Sequence, residues 1–226
     1  MLRILTIIVA VAATAQAQTG EVPDELNGTV ENGVYTSPTG TFKVEIPVLP
    51  ELGGATHDTK NVVTFRDSFG LQISIGAFVN DATLRWQLST RGTKDYLIYF
   101  FTNFVLPDFR QFSPGTQIES AGFSTDLMEG SLFTYILLPG GTVFGEQLAF
   151  APQGDPPVAK RGNMLFVRNG VTYVISTELS ERVTEGSRYK KTTQEENLIL
   201  RKRLQNIASN MTLIAPAGPA SPAAPK

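Results

Sequence analysis

The stretch "LFVRNGVTYVIS" (165–176) constrains the fold more tightly than any other part of the chain. Asn169 and Gly170 form a two-residue link between two runs of aliphatic, aromatic and β-branched residues. A type I′ turn needs positive φ at both central positions, which Asn and Gly adopt most easily, so the stretch predicts a β-hairpin. The same device recurs along the chain. In "GVYTSPTGTFKVEIP" (33–47) the turn chemistry of Ser37-Pro38-Thr39-Gly40 precedes Phe42, Val44 and Ile46, which alternate with Lys43 and Glu45. In "NVVTFRDSFGLQISIGAFV" (61–79) Val63 and Phe65, then Leu71, Ile73 and Ile75, alternate on either side of a loop at Asp67–Gly70. "TQIESAGFST" (116–125) and "SLFTYILLPGG" (131–141) read as a further antiparallel pair.

Two segments carry the helical period instead. "DYLIYFFTNFVLPDF" (95–109) holds six aromatic side chains, and only its aspartates are charged. Leu97, Phe100, Phe101 and Phe104 share a helix face, Thr93 is the expected N-cap, and Pro107 is expected to stop the helix. The segment is shorter than the ~20 apolar residues a bilayer span requires, so it reads as a core helix lying on a sheet. The alternative is an apolar ligand pocket with Tyr96, Tyr99 and Phe100 as its wall. Near the end, Thr193-Gln194-Glu195-Glu196 has capping-box spacing, and Leu200, Leu204, Ile207 and Met211 form a helical stripe. Residues 140–162 read as a mobile loop with a short strand near residues 146–150.

These elements predict an α+β fold in which an antiparallel β-sheet of hairpins has helices packed on its faces. Residues 1–17 have the Arg3 n-region, the Ile4–Ala13 apolar run and the Ala15-Gln16-Ala17 cleavage pattern of a secretory signal peptide. A flexible leader (18–32), one domain (33–214) and a disordered Ala/Pro-rich tail (215–226) are expected to follow. The compartment is thus periplasmic or secreted. The chain contains no cysteine, so disulfides, thiolate metal sites and thiol nucleophiles are excluded.

The chemistry legible in the chain is sparse. The one histidine, His57, lies next to Asp58 in what reads as a loop, and no nucleophile–base set, HExxH or phosphate-binding glycine loop is present. No catalytic, cofactor or metal site is therefore expected, and the chain reads as non-enzymatic. The formal charge of −2 offers no global field for nucleic acid. The basic run Arg182, Arg188, Lys190, Lys191, Arg201, Lys202 and Arg203 reads first as a solvated face and second as a patch for an acidic partner or an anionic surface. An unidentified envelope protein and peripheral membrane contact are the partners this admits, with no transmembrane span after signal cleavage.

The order of elements, with "VYTSPTGTFKVEIP", "VVTFRDSFGLQISIG", a helix, "LFVRNGVTYVIS" and a closing "ENLILRKRLQNIASNM", resembles the PsbP-like superfamily over roughly residues 34–213. The resemblance implies an α/β/α sandwich and a non-enzymatic role in binding or assembly of larger complexes. It carries over no functional residue, because His57 stands alone where the photosynthetic members' metal-binding histidines would be matched.

Overall fold

The alternating segments pair into antiparallel strands in the computed structural model, which describes residues 26–140, 142–143, 146–147 and 158–216. The first strands are β1 (Thr29–Glu31), β2 (Val34–Thr36), β3 (Phe42–Glu45), β4 (Ala55–Asp58), β5 (Val62–Arg66) and β6 (Gln72–Val79). Then come helix α1 (Ala82–Phe100), a π-helical turn (Phe101–Val105) and helix α2 (Leu106–Phe112). Strands β7 (Gln117–Ser124), β8 (Ser131–Pro139), β9 (Thr142–Val143), β10 (Glu146–Gln147), β11 (Val158–Arg168) and β12 (Val171–Glu178) follow. Helices α3 (Ser180–Thr184) and α4 (Thr193–Ser209) and strand β13 (Met211–Leu213) close the chain.

Seven strands form the main sheet, in the order β4-β5-β6-β12-β11-β8-β7, and β1-β2-β3-β13 form a smaller one. Because strand side chains alternate between faces, each strand of the main sheet feeds two cores. On one face Phe65, Ile75, Phe133, Phe166 and Tyr173 pack with Leu200 and Leu204 of α4 and with Tyr35 and Phe42 of the small sheet. On the other, Leu132, Ile136, Leu165 and Val174 pack with Tyr96, Leu97, Phe100 and Leu106 of the α1–α2 layer. The expected antiparallel sheet with helices on its faces is what the chain forms.

The β11–β12 turn has Asn169 at φ 52° and Gly170 at φ 72°, both positive as the hairpin requires. A Cβ at Gly170 would meet nothing within 4 Å, so only backbone conformation opposes a side chain there. Gly170→Val is expected to cost about 1 kcal/mol or more, read as a lowered Tm. An unchanged Tm would mean the turn does not depend on that φ.

The structure departs from the sequence expectations at several points. Helical structure begins at Ala82, capped by Asp81, and bends at Gly92 (φ 75°, ψ 167°), immediately before the expected cap Thr93. Pro107 does not stop the helix. It sits at the start of α2, where its missing N–H needs no partner, and the preceding π turn closes with the Leu106 N–H bonded to the Phe101 carbonyl. The cap of α4 is Thr192, not Thr193: the Thr192 hydroxyl accepts from Glu195 N, and the Glu195 carboxylate accepts from Thr192 N. Met211 leaves the helical stripe and pairs with Val44 in β13. Residues 158–162, expected in a loop, belong to β11. The remainder of 140–162, apart from Gly140 and the short β9–β10 pair, lies outside the described residues, as do residues 1–25 and 217–226.

His57 and Asp58 lie in strand β4, not in a loop, and Asp58 ties down what read as leader. Its carboxylate accepts from Asn27 N (2.8 Å), Gly28 N (2.7 Å) and the Tyr35 hydroxyl (2.7 Å), bringing β1 against β2. Burial alone would raise the Asp58 pKa, but these bonds outweigh it and hold the carboxyl below its usual value. A folded pKa below the unfolded one means that this group stabilises the fold above the ordinary carboxylate range, and that the stabilisation fades as pH falls through the depressed value. Protection of the Gly28 amide, relative to its intrinsic exchange rate at each pH, is therefore expected to be high at neutral pH and to fall in acid before that of β11 and β12. Equal protection of Gly28 and β12 throughout an acid titration would sink this assignment.

At the outer edge, β7 carries a register shift between Ile118 and Ser120. Glu119, at that bulge, turns inward to an ion pair with Lys160, whose side chain is fully buried. Lys160 also donates to Glu196 (3.0 Å), and Arg182 donates to both Glu196 oxygens (2.7 and 2.8 Å). Two cations and two carboxylates thus join β7, β11, α3 and α4.

Candidate functional site

Ser74, Gly76 and Phe78 are alternate residues of β6 and point to the α1–α2 side of the main sheet. The register places Val62 and Val174 on either side of Gly76, and Ser176 beside Ser74. α1 makes its larger contacts with β8 and β11 and reaches β6 and β12 through Phe100 and Tyr96, and beside these side chains the β5, β6 and β12 part of the face opens into a cleft. The result is a groove of about 370 Å³, open to solvent along one side. Phe100, Phe104, Val105, Asp108 and Phe109 form its helical wall.

The π turn shapes that wall. One extra residue in the turn shifts the helical phase, so Phe104 and Val105 face the groove while the proline still fits at the start of α2. Phe100 and Phe104 lie 5.0 Å apart between ring centroids, and Phe78 lies 5.5 Å from Phe100. Phe104 is 44% exposed, an unusual position for a phenylalanine already in contact with other rings. Gly76 keeps the floor low: a Cβ there would lie 2.7 Å from the Phe78 ring.

One end of the floor is polar. Ser176 Oγ donates to Asn163 Oδ1 (2.7 Å), and Asn163 Nδ2 donates to Thr134 Oγ1 (3.2 Å), a row of directly paired residues across three strands. The next polar pair along β11 and β12 is Arg161 and Glu178, joined at 2.8 Å, with the guanidinium 4.7 Å from the Phe109 ring centre. Burial lowers the Arg161 pKa, and Glu178 opposes that shift. Among the described residues no group of three or more His, Asp or Glu stands close enough to hold a metal ion. What the groove offers is aromatic surface with hydroxyls at one end, an arrangement suited to binding an apolar molecule.

Of the three expected wall residues, only Phe100 lines this groove. Tyr96 is fully buried, its hydroxyl bonded with Thr172 Oγ1 (2.7 Å) and Asn80 Oδ1 (3.2 Å), and burial raises its pKa. Tyr99 is half-buried against the α1–α2 core, with the Arg91 guanidinium 4.8 Å above its ring and the Phe104 ring edge-on to it. Sequence reasoning missed Phe78 and Phe109. The i, i+4 spacing of Phe100 and Phe104 was the one local signal, because the β6 and β12 residues meet only through sheet register.

Two residues of the basic run are engaged in ion pairs within the fold. Arg182 pairs with Glu196, and Arg203 with Glu181 (2.8 Å). Arg201 covers the Phe133 ring at 4.7 Å, and Lys191 lies over Tyr189 at 5.6 Å. Arg188, Lys190 and Lys202 are exposed. Among the described residues no helix is long and apolar enough to cross a membrane.

No family model matches the chain, and no curated protein matches it. Among solved structures the chain is similar to cyanobacterial PsbP (CyanoP) from Synechocystis sp. PCC 6803, at 14% identity over 80% of this chain and 91% of that one, with a TM-score of 0.47. It is also similar to a protein of Bacteroides thetaiotaomicron VPI-5482, at 10% identity over 82% of this chain and 49% of that one, with a TM-score of 0.38.

Proposed function

We propose that this is an exported, non-enzymatic binding protein whose working site is the groove along β6. The observation that carries this reading is the uncovered aromatic floor and wall, in which Phe78, Phe100, Phe104 and Phe109 surround a space within the ~300–1,000 Å³ typical of small-molecule sites. An accessory role in an envelope complex, mediated by the basic run, has less support, because Arg182 and Arg203 are engaged in ion pairs within the fold. The non-enzymatic reading rests on a residue inventory with one histidine and no cysteine. The periplasmic or secreted location rests on residues 1–17.

A neutral apolar fluorophore, N-phenyl-1-naphthylamine, tests the site. Its affinity is expected to fall about five- to tenfold in Phe104→Ala, since one aromatic wall is removed from contact with the ligand. Tm should change little because that ring is already half exposed. Glutamate at Arg188, Lys190 and Lys202 should leave the affinity unchanged. No binding to the parent protein, or equal binding to Phe104→Ala, would overturn the groove as the site.

A further inference from the structure

The two ends of the groove along β6 differ in chemistry. At one end Phe78 and Phe104 both pack against Phe100, with centroids 5.5 and 5.0 Å from its own, and these rings close the space. The helical wall runs from there to Phe109, which lies 4.7 Å from the Arg161 guanidinium. Arg161 and Glu178 are the paired residues next beyond Asn163 and Ser176 on that face, so Asp108, beside Phe109, stands at the end of the groove marked by Ser74 and Ser176. From Ser74 to Phe78 the strand covers about 13 Å, room for one ring and a short linker.

The polar end presents acceptors. Ser176 is nearly fully buried, and its one proton is committed to Asn163 Oδ1, while Asn163 Nδ2 donates onward to Thr134. The Ser176 oxygen is therefore left with lone pairs only. Asp108 is the one charged residue among those that line the groove; it is exposed and enters no hydrogen bond or ion pair among the described residues. The nearby Arg161 charge is compensated, because Glu178 Oε2 accepts from two of its nitrogens (3.2 and 2.8 Å).

We infer, resting on the groove as the binding site, that the ligand is a hydrophobic amine bound as its ammonium. The ammonium lies between Asp108 and Ser176, and the apolar body lies over Gly76 against Phe104 and Phe78. A carboxylate with no cation opposite it favours a positive group and repels an anionic one. A hydroxyl whose proton is already used accepts from an N–H and gains nothing from a carbonyl or carboxylate. The phenylalanines suit the rest of such a molecule, and aromatic rings attract a cation held near them. A metal ion is poorly served by the same end, since among the described residues no three His, Asp or Glu side chains stand together.

The test compares 3-phenylpropylammonium, 3-phenylpropanol and 3-phenylpropanoate, which share the apolar part, by calorimetric titration of the parent protein, Asp108→Asn and Phe104→Ala at neutral pH. The ammonium is expected to bind the parent about fivefold tighter than the alcohol, the size of effect one exposed ion pair supplies, and the carboxylate weaker than either. Asp108→Asn should bring the ammonium to within about twofold of the alcohol. Phe104→Ala should weaken all three. Because Asp108 is exposed in the first turn of α2, the asparagine variant should keep nearly the parent's Tm. Equal binding of the three ligands by the parent overturns the amine assignment and leaves the groove as the site. Binding of N-phenyl-1-naphthylamine but of none of the three also overturns this inference alone, whereas failure of all four overturns both. An ammonium preference that survives in Asp108→Asn places the charge partner elsewhere and overturns the inference.

Discussion

Replacing Lys160 with methionine lowers stability by about 3–5 kcal/mol in chemical denaturation, although methionine fits much of the lysine's volume. The lysine side chain is fully buried between Glu119 and Glu196, which are 17% and 2% exposed. Removing the cation leaves Glu119 without its ion-pair partner and leaves Glu196 with Arg182 alone. The cost is the desolvation of carboxylates whose counter-charge has gone, not the net worth of the pair. The matching control is Lys160→Met with Glu119→Gln, which leaves Glu196 paired with Arg182. That double variant is expected to recover most of the loss, because neither position then holds a buried carboxylate without a counter-charge. A loss below about 1 kcal/mol in Lys160→Met would mean that water reaches the glutamates.

Tyr173→Ala is expected to cost about 3–5 kcal/mol, the usual range for emptying an aromatic site in a close-packed core. Tyr173 is fully buried on β12, stacked on Phe166 with ring centroids 5.1 Å apart and edge-on to Phe42 at 6.4 Å. Its hydroxyl donates to the Thr41 carbonyl (2.8 Å), so one residue fastens the small sheet to the large one. Burial pushes its pKa up to about 12, which keeps the hydroxyl protonated as a donor at any physiological pH. Tyr173→Phe keeps the ring and loses only the bond, so about 1–3 kcal/mol is expected for the orphaned carbonyl. Equal losses in the two variants would show that the hydrogen bond, not the ring, holds the sheets together.

The strands were legible because each hairpin carries its own turn chemistry and a two-residue period. Both are local properties. The π turn was not legible, since Pro107 after an aromatic helix reads as a stop, and only the structure shows the preceding turn widening to admit it. The first half of α1 escaped notice because its face is weakly apolar, with Trp86 62% exposed, and Gly92 breaks the period. The glycines and prolines of residues 140–162 made the start of β11 look like loop, and its Lys160-Arg161 pair offers no alternating apolar pattern to counter that. Adjacent charges on a strand point to opposite faces, and here each meets its own buried glutamate. Those glutamates are distant in sequence, so no local pattern announces the pairing. The groove is illegible for the same reason: Gly76 and Val174 are neighbours only through β6–β12 register.

The bulge in β7 has a consequence for how the protein behaves in a crowded compartment. An outer strand with regular, outward-facing amides can template the strand of another copy and so start ordered aggregation. Here the register breaks between Ile118 and Ser120, and the intervening glutamate turns in to a buried lysine. A second chain extending the ladder past this point would meet a kinked backbone and would have to disturb an ion pair to straighten it. The interaction that holds α4 to the sheet therefore also keeps that border of the molecule from growing.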